Sequence, residues 1–437
     1  MRLRRLLERY FEFESLGASW KTEILAGCTT FTTMAYIVFV NPAILHDAGM
    51  PLAAVTAATC LSAAAGSLLM GGFARYPIAL APGMGLNAYF AYTVVKGMGV
   101  AWQTALGAVF LSGVAFFVLT LLGVRQLILS TLPRELHAAV AAGVGLFIAL
   151  VGFRNSGIVV PDAANVVTLG NLHDKSVALA VFGLLLIAVL LAWRIRAAML
   201  IGILATTAAG LATGVAHYTP RAYRLSELAA TAGQLDVASA LRLGFLEVVF
   251  VFLFIDVFDN VGTLLAVGTK ANLFDRAHRI PRVNRILLSD AAATVIGSLT
   301  GTSTVVSYIE SAAGVAAGGR TGVTAIVTGL LFIAALFVAP AVGAIPAAAT
   351  APALIIVGSL MIGVTAEIAW SDPEVAVPAF LTMLAIPLTF SIANGLAFGF
   401  ISFTAIKILR GKFREVNWFV YALAALFIAR FVYLSRG

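Results

Sequence analysis

Apolar segments of about 20 residues follow one another along almost the whole chain, separated by short polar intervals. Since about 20 helical residues cross the hydrocarbon core of a bilayer, this pattern predicts an all-α membrane protein with fourteen transmembrane segments. A further apolar segment, residues 416–434, is either an extra span or a helix on the membrane surface. The fourteen predicted spans are residues 23–45, 52–72, 77–95, 101–123, 136–154, 176–193, 198–217, 243–269, 286–300, 303–319, 322–341, 351–367, 376–391 and 395–410.

The composition excludes a soluble globular protein. Hydrophobic residues make up 61% of the chain and charged residues 11%, whereas soluble domains are about half apolar and a quarter charged. The longest polar interval, His217–Arg242, is too short to form a separate domain. The net charge of +8 comes from basic residues at the ends of apolar segments, which indicates membrane topology rather than nucleic-acid binding.

The basic residues also predict the orientation. They cluster before the first span and after the second, fourth, sixth, eighth and fourteenth spans. Because cytoplasmic loops carry an excess of lysine and arginine, we expect both ends of the fourteen-span core to face the cytoplasm, in a multi-pass protein of the cytoplasmic (inner) membrane. Residues 1–22 lack the apolar core of a signal peptide, and their mixed basic and apolar pattern is typical of an interfacial helix.

The two halves of the chain resemble each other. In the third span, Ala81–Ala88 matches Tyr308–Val315 of the tenth span, at an offset near 223 residues. The following spans, Thr104–Gly123 and Thr324–Gly343, match at an offset of 220. Each copy holds seven spans, so the second copy must be inverted in the membrane. Inverted repeats with interrupted helices in matching positions are typical of secondary transporters with a site near the midplane.

The segment Gly301–Gly319 is the most unusual of the apolar stretches, because it is rich in glycine and hydroxyl residues and carries Glu310. Irregular polar backbone at membrane depth is tolerated only where protein or a water-filled cavity satisfies it. We therefore interpret this segment as half of a substrate site. The matching segment of the third span contains Asn87 after Pro82 and two glycines. A helix broken there would offer free N–H groups and the positive end of its dipole to a ligand. The alternative role of Asn87 is in a simple helix kink.

Ionisable residues inside membrane spans are costly and indicate function. The eighth span contains Asp256 and Asp259, whose spacing puts them on one helical face; a structural polar seam between packed helices is the alternative. For Glu310, the alternative is a carboxylate capped by nearby N–H groups. If Asp259 and Glu310 share a cavity, their repulsion favours a proton on one of them. The hypothesis is symport of a small polar, heterocyclic solute with H⁺.

Other candidates are weaker. The hydroxyls of Thr32 and its neighbours in the first span either line the site or bond their own backbone. Asp290 is interpreted as an N-cap or loop anchor near the start of the ninth span. The chain shows no metal-ligand spacing, nucleophile elbow or phosphate loop, so we expect no metal and no cofactor besides the coupling proton. An intramembrane enzyme that uses the carboxylates, or a channel, would not account for the repeat together with these titratable groups.

Five long segments resemble the adenine/guanine/hypoxanthine permeases, the AzgA-like branch of the nucleobase–cation symporter-2 family. They cover the chain in order: Phe31–Leu45, Tyr76–Tyr92, Phe252–Leu264, Gly301–Gly322 and Ile386–Phe400. The resemblance implies proton-coupled uptake of purine nucleobases, with guanine and hypoxanthine favoured by the Phe153–Val159 segment. Transport of an anion or another small solute on the same fold is the alternative. The expected partners are a purine, H⁺ and the lipid bilayer, with a homodimer left open and no nucleic acid.

The resemblance also implies a fold like that of the bacterial uracil transporter, a seven-plus-seven inverted repeat with short strands in the third and tenth spans. A core domain would comprise residues 23–123 and 243–341, and a gate domain residues 124–217 and 342–412. Residues 1–22 would precede these domains, and an apolar helix within residues 413–437 would follow them.

Site residues also follow from the resemblance. The substrate would contact Asp259, Glu310, Asn87, Tyr308 and the backbone near Ile309, and we add Thr32 to this set. Proton coupling would use Glu310, Asp259 and Asp256. The chain departs from the family pattern beside this site, with Asn260 and Val306 where threonine is common, so the preferred purine is an open question.

Overall fold

The computed structural model describes residues 2–123, 133–217, 225–242, 246–271 and 280–433. In this part of the chain, seven helical segments are long and apolar enough to cross a membrane: Trp20–Asp47, Leu52–Ala74, Trp102–Leu121, Arg134–Asn155, Lys175–Ala192, Ala347–Glu367 and Ile392–Leu409. Shorter apolar helices add Ala198–Ala212, Gly322–Ala335, Pro373–Thr389 and Trp418–Val432. The chain is therefore a predominantly helical, multi-pass membrane protein.

The first half contains ten α-helices and three strands in its described residues. The α-helices are α1 (Arg2–Tyr10), α2 (Phe13–Leu16), α3 (Trp20–Met34), α4 (Ile37–Asp47), α5 (Leu52–Leu69), α6 (Met84–Ala88), α7 (Trp102–Leu121), α8 (Arg134–Asn155), α9 (Lys175–Ala192) and α10 (Ala198–Ala212). The strands are β1 (Leu80–Pro82), β2 (Val159–Asp162) and β3 (Val166–Leu169). Helical turns of π type at Met70–Ala74 and Tyr89–Gly97 extend α5 and α6.

The second half contains one strand and nine α-helices in its described residues. After a 3₁₀ turn at Leu225–Ala230 come α11 (Val237–Ala240), α12 (Leu246–Ala271), α13 (Val283–Thr300), β4 (Val305–Ser307), α14 (Ser311–Ala316), α15 (Gly322–Ala335), α16 (Ala347–Met361), α17 (Pro373–Thr389), α18 (Ile392–Leu409) and α19 (Trp418–Tyr433). Further 3₁₀ turns lie at Leu336–Ala344, Ile362–Glu367 and Phe413–Glu415.

Contacts divide the chain into two compact units. The first comprises Met1–Leu121 and Arg154–Ala353, and the second Leu122–Phe153 and Leu354–Gly437. These boundaries differ from those of the predicted core and gate domains, since α9 and α10 of the predicted gate fall in the first unit. The functional division into core and gate therefore stays a prediction.

Helices from the two halves of the chain interlock inside the first unit. Helix α13 packs on α5 and α7, and α15 packs on α3 and α5. The pairs α7–α13 and α5–α15 are equivalent under the predicted repeat, because each joins a second span of one copy to a fourth span of the other. This arrangement is the packing expected of two intertwined inverted copies.

Strands β1 and β4 form an antiparallel pair at the centre of the first unit, and all six residues are buried. Leu80 lies opposite Ser307, and Pro82 lies opposite Val305. Pairing satisfies backbone groups that would be costly to leave bare at membrane depth. Each strand is followed closely by a short helix, α6 or α14, so the two predicted strands and the interrupted third and tenth spans are confirmed.

The N-terminal segment is held on one face of the first unit. The Glu12 carboxylate pairs with Arg75, which follows the second predicted span, and with Arg282, which follows the eighth, each at 3.2 Å. The basic-residue pattern predicts a cytoplasmic position for all three segments. Their contact shows that they share one face, while the identity of that face stays a prediction.

The second unit includes a hairpin of α17 and α18 with α19 against it. The rings of Phe400 and Phe427 stack with centroids 6.2 Å apart, and Arg430 donates to the Asn394 side chain at 2.8 Å. The predicted C-terminal apolar helix is therefore present and packs along the last predicted span. Glu374 at the start of α17 pairs with Lys407 and Lys412 at 2.9 and 2.8 Å, which holds both ends of this hairpin on one face.

Candidate functional site

The segment between β4 and α14 contains Tyr308, Ile309 and Glu310. The strand residues before it are buried, but the Ile309 side chain is 56% exposed. We interpret this apolar side chain, exposed next to the central strand pair, as part of the wall of an opening. That Gly301–Gly319 borders a substrate cavity stays a prediction.

Glu310 is the carboxylate at the start of α14. It occupies the N-cap position, but its side chain makes no capping hydrogen bond to the N–H groups of that helix. Instead, the hydroxyl of Tyr36 donates to Glu310 Oε1 at 2.7 Å. The partner comes from the break between α3 and α4, 274 residues away in sequence.

Tyr308 joins the two strands. Its hydroxyl donates to the Pro82 carbonyl at 2.5 Å, and its backbone N–H donates to the Ala79 carbonyl at 3.0 Å. The hydroxyl is therefore engaged within the protein. The Tyr308 side chain also interacts electrostatically with both Glu310 and Asp259, so the two carboxylates that the sequence singled out are both near it.

Asp259 and Asp256 lie on α12 in different surroundings. Asp259 is only partly buried, in keeping with a position at the edge of the opening. Asp256 is fully buried, and the Thr294 hydroxyl lies 3.3 Å from its Oδ2 and 3.0 Å from the Val305 carbonyl. Asp256 thus lies behind β4, in the polar seam that we considered as the alternative. Its predicted role in proton coupling is not tested by this geometry.

Asn87 belongs to a fully buried network of polar side chains. It donates to Asn41 Oδ1 at 2.5 Å and accepts a hydrogen bond from the Ser303 hydroxyl. Asn41 in turn donates to Thr59 at 2.7 Å and to Thr302 at 2.9 Å. This network ties α4, α5 and α6 to the residues before β4, which is a structural task. A direct contact of Asn87 with substrate stays a prediction.

The Thr32 hydroxyl donates to the Cys28 carbonyl of its own helix at 2.7 Å. Thr29 and Thr33 also donate to carbonyls of the preceding turn. These hydroxyls therefore bond the backbone of their own helix, which was one of the two interpretations that the sequence allowed. The structure gives Thr32 no contact with the carboxylates, and its role in substrate binding stays a prediction.

Asp290 plays a larger part than its sequence position indicates. The sequence suggested a cap or loop anchor, but Asp290 lies inside α13 and is fully buried. Its carboxylate accepts hydrogen bonds from the backbone N–H and hydroxyl of Ser307, both at 2.9 Å, and from the Asn260 amide. Asp290 therefore fixes the end of β4, just before Tyr308.

The two departures from the family pattern lie near the site but do not line the opening. Asn260 is buried and binds Asp290. Val306 is buried within β4, and a Cβ atom on the neighbouring Gly83 would lie 2.9 Å from its side chain. Any influence of these residues on the preferred purine would act through the position of β4.

Sequence reasoning missed Tyr36, Asn41 and the anchoring role of Asp290. The partners of Tyr36 and Asn41 lie more than 250 residues away, and no spacing rule relates residues that meet only through tertiary packing. The signal available was their polarity inside apolar spans. Among the described residues, no group of three or more histidine, cysteine, aspartate or glutamate side chains is placed to hold a metal ion.

Comparisons with known proteins agree along nearly the whole chain. Residues 21–398 match a family described as the Permease family (Xan_ur_permease). A putative permease of Methanocaldococcus jannaschii is 50% identical, with 99% of both chains covered. The guanine/hypoxanthine permease PbuG of Bacillus subtilis is 46% identical, with 98% of this chain and all of that protein covered. The adenine permease AdeP of Escherichia coli is 43% identical, with 98% and 97% covered.

Solved structures that share the fold at low sequence identity include two transporters of known type. The transmembrane domain of the cyanobacterial bicarbonate transporter BicA superposes with a TM-score of 0.62 at 16% identity, covering 88% of this chain and 96% of that one. The murine anion transporter Slc26a9 in its inward-facing state gives 0.66 at 11% identity, covering 91% and 69%. At such identities the likeness speaks for the fold alone. It confirms the predicted fold class of the uracil transporter type.

Proposed function

The chain belongs to the Permease family, and we propose that it carries purine nucleobases, with guanine and hypoxanthine favoured and adenine as an alternative, into the cell together with H⁺. It is a multi-pass membrane transporter and not an enzyme. The observation that carries the choice of purines is the similarity of 43–46% identity, over nearly the full length, to permeases named for adenine and for guanine/hypoxanthine.

The chemistry of the site supports a purine. Purine rings carry N–H groups that donate hydrogen bonds, and ionised carboxylates are acceptors only. Glu310 and Asp259 both lie near Tyr308, and the Ile309 side chain directly before Glu310 is exposed. Carboxylates would bind the polar edge of a flat heterocycle, while Ile309 would contact its face.

Coupling to H⁺ is proposed from the same two groups. A carboxylate in low-polarity surroundings binds a proton more readily than one in water. We assign the coupling proton to Glu310 or Asp259, with Asp256 as a further candidate behind β4. Alternating access would expose this site in turn to each side of the cytoplasmic membrane, with the N-terminus in the cytoplasm.

Anion transport is the second candidate, because the bicarbonate transporter BicA and the anion transporter Slc26a9 share this fold. The charges of the site disfavour an anionic substrate. An anion needs a cation or a set of N–H donors, and two carboxylates near the same tyrosine would repel it. The fold alone does not choose a substrate, so we place anion transport behind purine transport.

The experiment is uptake of radiolabelled hypoxanthine, guanine, adenine, xanthine and uracil by transport-deficient cells that express the protein, with and without a protonophore. We expect guanine and hypoxanthine to accumulate and the protonophore to abolish their accumulation. Uptake of none of the purines would overturn the choice of substrate. Purine accumulation that is insensitive to the protonophore would overturn the coupling to H⁺.

A further inference from the structure

The contact between Tyr36 and Glu310 is a feature of the site to which no role is yet assigned. We propose that Tyr36 is a positioning residue: its hydroxyl holds the Glu310 carboxylate in the orientation that accepts an N–H group of the purine. The inference rests on the proposed function and specifies how one carboxylate of that site is held. Its basis is the 2.7 Å hydrogen bond from the Tyr36 hydroxyl to Glu310 Oε1.

Tyr36 lies at an interruption of the first span. Helix α3 ends at Met34 and α4 begins at Ile37, and the Tyr36 carbonyl accepts hydrogen bonds from the N–H groups of Phe39 and Val40 at 3.1 and 3.0 Å. The backbone at the break is thus held by its own turn. The Tyr36 side chain is only 2% exposed, so its hydroxyl is fixed in place by packing rather than free to rotate into solvent.

The helix that carries Glu310 is held equally closely. Helix α14 packs directly on α3, and a Cβ atom at Gly314 would lie 2.0 Å from Thr30 Oγ1 and 2.6 Å from the Ala26 carbonyl. Glycine at this position therefore allows the two helices to approach at backbone distance. The donor and the acceptor consequently sit on two elements that cannot slide past each other without losing this contact.

The hydrogen bond leaves the carboxylate able to bind a ligand. An ionised carboxylate has about four acceptor positions, and the phenol of Tyr36 uses one of them. Ile309, directly before Glu310, is exposed to the opening, so the acceptor capacity that remains lies beside the space that a ligand would fill. Without the phenol, a carboxylate on a flexible side chain would sample other rotamers, and ordering it would cost binding free energy.

The test is equilibrium binding of radiolabelled hypoxanthine to purified full-length protein, comparing Tyr36→Phe with Tyr76→Phe. The control removes a phenol that donates to the Pro281 carbonyl at the same 2.7 Å, in a segment outside the carboxylate site. Hydrogen bonds to charged groups are the strong ones in proteins. We expect hypoxanthine to bind about tenfold more weakly to Tyr36→Phe and about as tightly to Tyr76→Phe as to the wild type, with both variants melting alike.

A second readout separates positioning from a merely structural role. Hypoxanthine analogues methylated at one ring nitrogen each identify the N–H whose loss weakens binding to the wild type. In Tyr36→Phe, the ratio of the affinities for hypoxanthine and for that analogue should fall, because the Glu310 carboxylate is no longer held in one orientation. Equal weakening of both ligands, or hypoxanthine binding within about twofold of the wild type, would overturn the proposal. If Tyr36→Phe does not fold, fluorotyrosine at position 36, which makes the hydroxyl a stronger donor at nearly constant volume, replaces it. Discrimination between hypoxanthine and the analogue should then change, and unchanged discrimination would overturn the proposal.

The proposed function and the role of Tyr36 can be overturned separately. Wild-type protein that binds none of the purines would remove the proposed function and this inference with it. Wild-type protein that binds hypoxanthine, together with an unaffected Tyr36→Phe, would remove only the role of Tyr36.

Discussion

Two aspartates three residues apart on α12 meet different surroundings. Asp256 is fully buried and lies near the Thr294 hydroxyl, behind β4. Asp259 is partly exposed and interacts electrostatically with Tyr308. A helix turns by about 300° over three residues, so the same face of α12 can place one carboxylate in a packed seam and the other at an opening. The two positions should respond differently to substitution.

Replacing Asp259 with alanine should abolish measurable purine binding, because it removes an acceptor for the ring N–H groups. Isothermal titration calorimetry on purified protein measures the affinity. Asp256→Asn should lower thermal stability, by about 1–3 kcal/mol for a disturbed buried polar contact, more than it changes affinity. Unchanged purine affinity in Asp259→Ala would take Asp259 out of the site.

Glu310→Gln should leave the protein folded and inserted but end purine accumulation against a gradient. The amide nearly keeps the size of the side chain and its contact with Tyr36. Unlike the carboxyl group, it does not take up and release a proton, and it bears no negative charge. The measurement is uptake in intact cells, with membrane expression of the variant as the control. Accumulation at the wild-type level would contradict a role of Glu310 in coupling.

At this scale, the sequence was informative where a residue is costly in its surroundings. Glu310 and Asp259 stand out because carboxylates are rare inside membrane spans, and the structure brings both to Tyr308. Asn87 and Thr32 stand out for the same kind of reason, yet their polar atoms are engaged by Asn41 and by the Cys28 carbonyl. Polarity identifies a buried polar residue but not its partner, which tertiary packing alone determines.

The elements around the site depend on close contact between backbones. The prediction of short strands in two interrupted spans came from the family resemblance, supported by the glycine and proline residues there, and β1 and β4 confirm it. The sequence did not show that α3 would break at Tyr36. The residues at this break keep helical dihedral angles, so the local sequence shows little sign of it. Pro42 inside α4 is a local signal of irregular helix geometry.

Gly314→Ala tests the contact between α3 and α14. The added methyl group would meet Thr30 Oγ1 and the Ala26 carbonyl, so α14 must shift, and we expect a loss of stability of about 1–3 kcal/mol together with weaker purine binding. Thermal unfolding in detergent with and without hypoxanthine measures both effects. Gly72→Ala is the matched control, because no atom lies within 4 Å of a Cβ at Gly72. Equal behaviour of the two variants would show that α14 tolerates displacement.

At the scale of the whole molecule, the ion pairs of Glu12 place the N-terminal segment with two loops on one face of the first unit. Ion pairs at a surface add little stability, so these pairs matter here because they show which segments lie on the same face. The alternation of basic loops, read from the sequence, agrees with this shared face. Composition and repeats identify the fold class, whereas the division into moving parts depends on contacts that no periodicity encodes.

The predicted topology can be checked by cysteine labelling. In a background lacking Cys28 and Cys60, Ser15→Cys should react with a membrane-impermeant maleimide only after the cells are permeabilised, which gives the reagent access to the cytoplasmic face. His173→Cys, in the loop after the fifth predicted span, should react in intact cells. Both side chains are exposed, so accessibility reports the side of the membrane. Labelling of Ser15→Cys in intact cells would reverse the orientation.

In the proposed mechanism, protons drive purine entry through the site at Glu310 and Asp259. The most direct measurement of this coupling is uptake of radiolabelled hypoxanthine into proteoliposomes that contain only this protein, with an imposed pH gradient. An acidic exterior should drive hypoxanthine above its equilibrium concentration inside, and collapsing the gradient should release it. Hypoxanthine entry that only equilibrates, whatever the gradient, or no entry at all, would contradict the account.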